Sequence, residues 1–459
     1  MKERETLGSR LGFILLSAGC AIGIGNVWRF PYMVGENGGG LFVIAYVAFL
    51  LLLGVPIMTM EYAMGRASRL SILPAYKKLE PKGTKWHVAG FFAIAGNYIL
   101  LMFYSVVSGW ILRYFVISLM GYFDGKDADG INALFQEMMA NPFTLILFMG
   151  ITMAITMIVT SMGLQKGVES VTKTMMIALI IIMVFLGVRS LTLPNAAEGV
   201  RFYLMPNAES IKKVGLGNVL YSALNQSFFT LSLGIGSMEI FGSYIEKDKS
   251  LVGEALIVAG LDTFVAIVAG LITIPACFAY GVSPDNGPSL IFLTLPNIFA
   301  TMPGGRFIGS LFFLFMYFAA LSTMIGVFEN DVSFSIDIFG RERKKAVIIA
   351  GTIITLGSVP CALGFNVLSF LEPLKPGNTI MDLEDFLVSN LLLPFGALVC
   401  CLFCTGRYGW GYENYLREVN SGTGIKLSRG LMWYFRIVLP LVLVFLAVYG
   451  IGSYFVKSN

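Results

Sequence analysis

Apolar runs of about twenty residues, each closed by a polar or glycine-rich stretch, follow one another along almost the whole chain. As a helix, a run of that length crosses a hydrocarbon core about 30 Å thick. Eleven spans are expected, at 11–33, 40–66, 88–120, 143–162, 171–191, 217–245, 253–280, 305–335, 346–364, 379–405 and 432–455. The short alternating strands of a membrane barrel are not visible. The pattern predicts an all-α polytopic membrane protein.

The polar loops set an orientation. Arg66, Arg69, Lys77, Lys78, Lys82 and Lys85 cluster between spans two and three, and Arg341, Arg343, Lys344 and Lys345 between spans eight and nine. Lys426 and Arg429 precede the last span, whereas the loop after span three carries Asp124, Asp127, Asp129 and Glu137 against Lys126. The positive-inside rule then puts the N-terminus in the cytoplasm and, after eleven crossings, the C-terminus outside. Residues 1–10 form a short cytoplasmic segment, and no small-residue cleavage site follows the first apolar run, so no removable leader is expected. The stretch PSLIFLTLPNIFATMPGG, between spans seven and eight, is apolar enough to fold back into an external cavity.

Two spans break the pattern. The first reads GCAIGIGNVWRFPYMVGENGGG from Gly19, and its Ile22-Gly23-Ile24-Gly25-Asn26 is echoed by Leu233-Gly234-Ile235-Gly236-Ser237 in span six. Small-residue packing faces want spacings of three or four, not two. Interrupted helices in corresponding positions of two halves point instead to a transporter's binding site. Backbone groups freed at such a break must face a cavity or a ligand. Half-helix N-termini then favour a carboxylate, and freed carbonyls favour a cation.

Composition narrows the function. With 56% hydrophobic and 13% charged residues, the chain has too little charge to coat a soluble surface. A net charge of +4 gives no footprint for a nucleic-acid partner. Cys20, Cys277, Cys361, Cys400, Cys401 and Cys404 all fall in apolar segments and read as core residues rather than a metal cluster. The lone histidine, His87, sits beside Trp86 at a span end, where interfacial packing suits it better than catalysis. No HExxH, paired aspartates or Ser/His constellation supports an intramembrane enzyme. The polar residues inside the spans, Asn26, Thr230, Ser232, Asp262, Ser322 and Thr323, are hard oxygen donors suited to an alkali cation. Asp262, in LIVAGLDTFVAIVAG, is costly to bury and a functional candidate for that reason.

GCAIGIGNVWRFPY, ENGGG, NQSFFTLSLGIG, SYIEKD, LTLPNIF and the Ala319–Val327 segment occur in the order found in the neurotransmitter:sodium symporter family, which the chain resembles from about Arg4 to the last span. Within it the chain looks most like the bacterial eleven-span amino-acid symporters, those for tyrosine in particular. The resemblance implies an inverted 5+5 helix repeat with helices 1 and 6 broken, repeat one at 11–191, repeat two at 217–405 and an eleventh helix at 432–455. It implies sodium-coupled uptake of an amino acid across a bacterial inner (cytoplasmic) membrane, with the lipid bilayer as its setting; oligomeric state is left open.

The resemblance also assigns residues. A first sodium site uses Ala21, Asn26, Thr230 and Asp262, and a second uses Gly19, Ile22, Ala319, Ser322 and Thr323. The substrate backbone meets Ala21, Ile22, Ile24, Gly25, Tyr104, Phe229, Thr230 and Ser232, and its side chain lies among Leu100, Tyr104, Phe229, Ile235, Thr323, Met324 and Val327. Arg29 and Asp385 pair as an outer gate with Gln226, above a lid of Tyr104 and Phe229; Arg4 and Asp337 pair as an inner gate with Ser243 and Tyr244. Relatives often carry asparagine where Asp262 stands, and chloride-dependent ones carry serine where Ala266 stands, so no chloride requirement is expected. Leu7 replaces a gate tryptophan, and Gly167 lacks a proline ten residues on, which puts unwinding of span five in doubt. An apolar wall disfavours charged amino acids and suits an aromatic one, tyrosine first, with leucine-like aliphatics next. A proton-coupled carrier and an amino-acid receptor on the same fold are the rival readings.

Overall fold

The structure is a computed structural model that describes residues 5–207, 212–282 and 290–456. Fourteen helical segments organise it. They are α1 (Arg10–Ala21), α2 (Gly25–Glu36), α3 (Gly40–Ser68), α4 (Val88–Leu119), α5 (Pro142–Ser161) and α6 (Leu164–Leu191) in the first half. The second half has α7 (Leu216–Phe229), α8 (Ser237–Gly242), α9 (Leu251–Ala279), α10 (Leu290–Thr301), α11 (Gly305–Phe339), α12 (Arg343–Leu363), α13 (Ile380–Thr405) and α14 (Arg429–Gly452). Among the described residues β-structure is limited to the isolated bridges Gly39–Pro206 and Lys249–Thr423.

Nine of these helices are long and apolar enough to cross a membrane by themselves. The first expected span is instead the pair α1 and α2, bent by 57° at Ile22–Ile24. The sixth is α7 and α8, separated by seven non-helical residues from Thr230 to Gly236. Among the described residues nine helices, or ten spans with the bent α1–α2 pair, are long and apolar enough to cross; α7 and α8 stand where the remaining expected span, the sixth, lies, and the two segments that carry the glycine echo are both interrupted. Span five begins earlier than expected, with a wide π-type segment at Leu164–Glu169 that contains Gly167 and runs on without a break into α6.

The breaks have different local causes. In the second, Ser232, Gly234 and Gly236 take φ of +50°, +96° and +75°, which interrupts the right-handed helix outright. In the first, Ile22 turns extended, with φ −73° and ψ +94°. Gly23 there supplies room: a Cβ on it would lie 2.7 Å from Thr323 Oγ1.

The long α11 is the axis of the molecule, buried over most of its length against α4, α6 and α1. The re-entrant segment α10 folds inward as its composition predicts, though Pro288 and Ser289 of the quoted motif lie outside the described residues. Its Phe292 sits 5.7 Å from Trp28, 5.8 Å from Trp110 and 5.0 Å from Tyr114, measured between ring centroids. Tyr114 also donates a 3.0 Å hydrogen bond to the Phe292 carbonyl. The six cysteines are buried and free. His87 is held by Glu80 at 2.7 Å on a partly exposed edge, away from the breaks.

Candidate functional site

The two breaks meet at a single carboxylate. Asp262, fully buried on α9, accepts a 2.8 Å hydrogen bond from Asn26 Nδ2, just past the first break, on Oδ1. Thr230 Oγ1, at the start of the second, donates to both carboxylate oxygens, at 3.3 and 3.1 Å. Tyr46 from α3 donates to Oδ2 at 3.1 Å. Asn26 Oδ1 in turn accepts the Gly23 amide at 3.1 Å, which ties the side chain to the unwound backbone. A carboxylate buried at mid-span with three hydrogen-bond donors is costly to maintain and is a functional candidate for that reason.

A second cluster lies on the other side of the first break. Thr323 Oγ1 donates to the carbonyls of Gly19 and Ile22, both at 3.3 Å, so one hydroxyl gathers two freed carbonyl groups. Beside it, Ser322 Oγ donates to the Ala319 carbonyl at 3.0 Å. Thr323 Oγ1 and the Gly19 and Ile22 carbonyls are uncharged hard oxygen donors brought together here, and Ser322 and Ala319 are hydrogen-bonded to each other within α11.

Between the two clusters is a central cavity of about 20 Å³, lined by Ala21, Gly23, Gly25, Leu100, Tyr104, Phe229, Thr230, Ser232, Ile235, Thr323 and Leu393. The Ile24 amide donates to Tyr104 Oη at 2.8 Å across one end. The volume is room for about one water molecule. The site is therefore drawn closed around its own side chains, and a larger guest has to widen it. Met324 and Val327 are fully buried in α11 but do not line this cavity. Thr323 is the α11 side chain that reaches it; Met324 is turned about 100° around the helix and Val327 lies a turn farther on. Ile22 contributes its carbonyl and Ile24 its amide, rather than their side chains.

Larger spaces flank the centre. On one side a vestibule of about 240 Å³ is lined in part by Arg29, Tyr32, Met381, Asp382 and Asp385. Gly25, Tyr104 and Phe229 line both it and the central cavity, so the two rings form the partition. The expected Arg29–Asp385 pair does not close within 4.0 Å. Arg29 instead stacks on Phe229, its guanidinium carbon 4.2 Å from the ring centre, and Asp385 accepts a 2.7 Å bond from Ser389. Gln226 Nε2 donates to the Gly25 carbonyl at 3.0 Å below them.

At the opposite end, a space of about 280 Å³ is lined by Leu7, Arg10, Phe13, Tyr244, Lys249 and Glu254, among others. Arg4 lies outside the described residues, so its pairing with Asp337 has no geometry here. Asp337 accepts the Ser71 amide at 2.7 Å, and the Ser243 carbonyl accepts from Arg69 at 3.1 Å. Tyr244 donates at 2.8 Å to Glu329, a fully buried carboxylate. Arg343 caps that carboxylate with two of its nitrogens and also reaches Glu5, 3.5 Å away.

Sequence reasoning missed several of these groups. Tyr46, Glu61 and Glu329 were legible only as polar residues inside apolar runs. Glu61 accepts the amides of Gly234 at 2.6 Å and Met238 at 3.2 Å, holding the second break in shape. Asn97 and Asn330 both donate to the Ile235 carbonyl, at 2.8 and 3.3 Å. Leu393 carries no polar signal at all.

Comparison with known proteins places the fold and the family. Residues 4–129 and 134–458 match the family described as the sodium:neurotransmitter symporter family. The chain is 36% identical to a sodium-dependent transporter of Bacillus subtilis, YhdH, over 99% of this chain and 100% of that one. It is 27% identical to the sodium-dependent serotonin transporter of Drosophila melanogaster, over 83% of this chain and 68% of that one. The crystal structure of MhsT in complex with L-phenylalanine superposes with a TM-score of 0.87 at 37% identity, covering 98% of this chain and all of that one.

Proposed function

We propose, from the premise that the chain belongs to the sodium:neurotransmitter symporter family, that it carries a hydrophobic amino acid, tyrosine foremost, into the cell together with sodium. Members of this family are membrane transporters and not enzymes. The observation that carries the reading is the convergence of Asn26 and Thr230, one from each broken helix, on the buried carboxylate of Asp262.

In this reading Asp262, Asn26, Thr230 and the Ala21 carbonyl hold one sodium ion. Gly19, Ile22, Ala319, Ser322 and Thr323 hold a second. Both ions are cargo. The substrate carboxylate accepts from the Ile24 and Gly25 amides and the Tyr104 hydroxyl, displacing the Ile24–Tyr104 bond, and it completes the first ion's shell. Each ligand thereby finishes the other's site, which is the thermodynamic content of coupling. The substrate ammonium faces the Ala21, Phe229 and Thr230 carbonyls and Ser232. Aliphatic and aromatic walls from Leu100, Phe229 and Ile235 leave no partner for a charged side chain.

Access alternates between the two flanking spaces. Tyr104 and Phe229 part toward the vestibule of Arg29 and Asp385 to admit the solute, and the Tyr244 end opens to release it. Repeat one (11–191) and repeat two (217–405) each contribute one broken helix to the site, with the Tyr244 end facing the cytoplasm. The bound amino acid of MhsT supports the substrate class. Asp262 supplies a fixed negative charge beside the first ion, and Ala266 offers no hydroxyl, so chloride has no task there.

A scintillation-proximity competition panel of amino acids against labelled tyrosine, with and without sodium and with gluconate in place of chloride, tests this. Aromatic amino acids should compete best, binding should need sodium, and gluconate should leave it unchanged. Binding indifferent to sodium, or a preference for small or charged solutes, would overturn the reading. Counterflow in proteoliposomes then separates a carrier from a receptor, since a receptor binds without exchange.

A further inference from the structure

The expected side-chain pocket was built from α4, α7, the second break and α11, yet the cavity has a wall residue from a further element. Leu393, at the first turn of the last segment of α13, lines it together with Ile235 and Leu100. It is almost fully buried.

Backbone contact fixes where this residue stands. A Cβ on Gly234 would overlap the Leu393 carbonyl and come within 2.7 Å of the Ala397 amide, and a Cβ on Gly396 would overlap the Gly234 carbonyl. Two glycines therefore let α13 lie directly on the unwound strand of the second break. Ile235, next in that strand, is clamped through its carbonyl by Asn97 and Asn330. A Cβ on Gly96 would sit 2.9 Å from Ile235 and 3.5 Å from Leu392, so α4 closes the same corner. Ile235 is held through its backbone carbonyl by two asparagines, and Leu393 follows directly on a π-type segment, Leu387–Leu392, an irregularity common beside functional sites.

We propose that Leu393 is the residue that sets how large a side chain the substrate may carry, by closing the end of the cavity from α13. The inference rests on the amino-acid reading above and adds to it the wall that discriminates aromatic from aliphatic substrates. Removing volume at this position makes room for a ring; adding volume leaves room only for branched aliphatics. A change of several carbons in an apolar pocket discriminates by about tenfold or more.

The test is the ratio of inhibition constants for tyrosine and leucine, measured in sodium by displacement of labelled leucine from purified native protein, Leu393→Ala and Leu393→Phe. Leu393→Ala should shift the ratio about tenfold toward tyrosine and Leu393→Phe about tenfold toward leucine. A residue with a merely structural role would weaken both ligands alike. Equal loss for the two ligands, or shifts of the same sign in both variants, overturns the assignment while leaving sodium-dependent binding by the native protein intact. Native protein that binds neither ligand in sodium overturns the amino-acid reading itself, and this inference with it. Should the Ala and Phe variants fail to fold, Leu393→Val changes the wall by one methylene and should still move the ratio toward tyrosine by about threefold. An unmoved ratio in that folded variant overturns the proposal equally.

Discussion

At the scale of single residues, the site is organised by what a buried carboxylate demands. Asp262 has no access to water and receives hydrogen bonds from Asn26, Thr230 and Tyr46. Asn26 and Thr230 also serve the sodium reading, but Tyr46 has a simpler task. Its hydroxyl neutralises part of the Oδ2 lone-pair density and keeps the carboxylate facing the break. Tyr46→Phe preserves the ring, which rests 4.7 Å from Phe30, and deletes that one donor. A hydrogen bond to a charged acceptor is worth about 1.5–3 kcal/mol. Part of that returns when sodium satisfies the exposed oxygen, so a weakening of apparent sodium affinity by about threefold to tenfold is expected. Sodium titrations of substrate binding on Tyr46→Phe measure it, and an unchanged midpoint would remove Tyr46 from the site. Polar residues within apolar runs were the legible part of this centre. Asp262, Asn26 and Thr230 stood out because hydrocarbon tolerates few such groups. Tyr46 did not, because a tyrosine in a membrane helix reads equally well as an interfacial or core aromatic.

At the scale of elements, each broken helix needs something to prevent it from winding up again. The second break relies on positive φ at Ser232, Gly234 and Gly236 and on Glu61, whose oxygens take the amides of Gly234 and Met238. Met238 is in the first turn of α8, so Glu61 caps a half-helix that has few residues of its own to satisfy its leading amides. Glu61→Gln keeps the volume but turns one acceptor into a donor facing N–H groups. The expected cost is about 1–3 kcal/mol, from one unsatisfied buried amide. It should appear as a lower apparent melting temperature in detergent together with loss of sodium-dependent binding. A variant as stable as the native protein would show that the strand is held by its glycines alone. The location of both breaks was readable from glycines at alternate positions. Their mechanisms were not, since close approach at Gly23 and left-handed backbone at Gly234 leave the same letter in the sequence. The span boundaries followed the hydropathy for the same reason that makes them hard to place finely: apolar side chains report burial in lipid or protein without distinguishing the two. That blindness also hid Leu393, which lines the central cavity from α13.

At the scale of the whole molecule, a small centre lies between two larger spaces, and charge is buried near one of them, at the N-terminal end. Arg343, at the head of α12, donates at 2.8 Å to the Thr160 carbonyl at the end of α5, caps Glu329 on α11, and lies 3.5 Å from Glu5. Glu5 in turn accepts the Leu164 amide at 3.2 Å, while Glu169 takes the Gly8 amide at 2.7 Å and the Ser9 hydroxyl at 3.1 Å. One guanidinium thus ties the segment before α1 to α5, α6, α11 and α12. Breaking a buried pair by removing one partner costs about 3–5 kcal/mol, because the charge left behind stays desolvated. In Arg343→Ala that charge is Glu329, and any state that lets water reach it gains by comparison. Opening the N-terminal end is such a state, and it separates α1 from α11. Cys20 on α1 reports the separation: it is fully buried, and its Sγ lies 2.8 Å from where a Cβ on Gly326 of α11 would stand. Alkylation of Cys20, followed by peptide mass spectrometry, should therefore be faster in Arg343→Ala than in the native protein, by about tenfold if 1.4 kcal/mol of the penalty reaches the opening equilibrium. The double variant Arg343→Ala, Glu329→Gln removes the stranded charge and should return the rate most of the way, a non-additivity expected only of groups in direct contact. Equal labelling in all three proteins would place the lock elsewhere, with Arg4 and Asp337 the first residues to try.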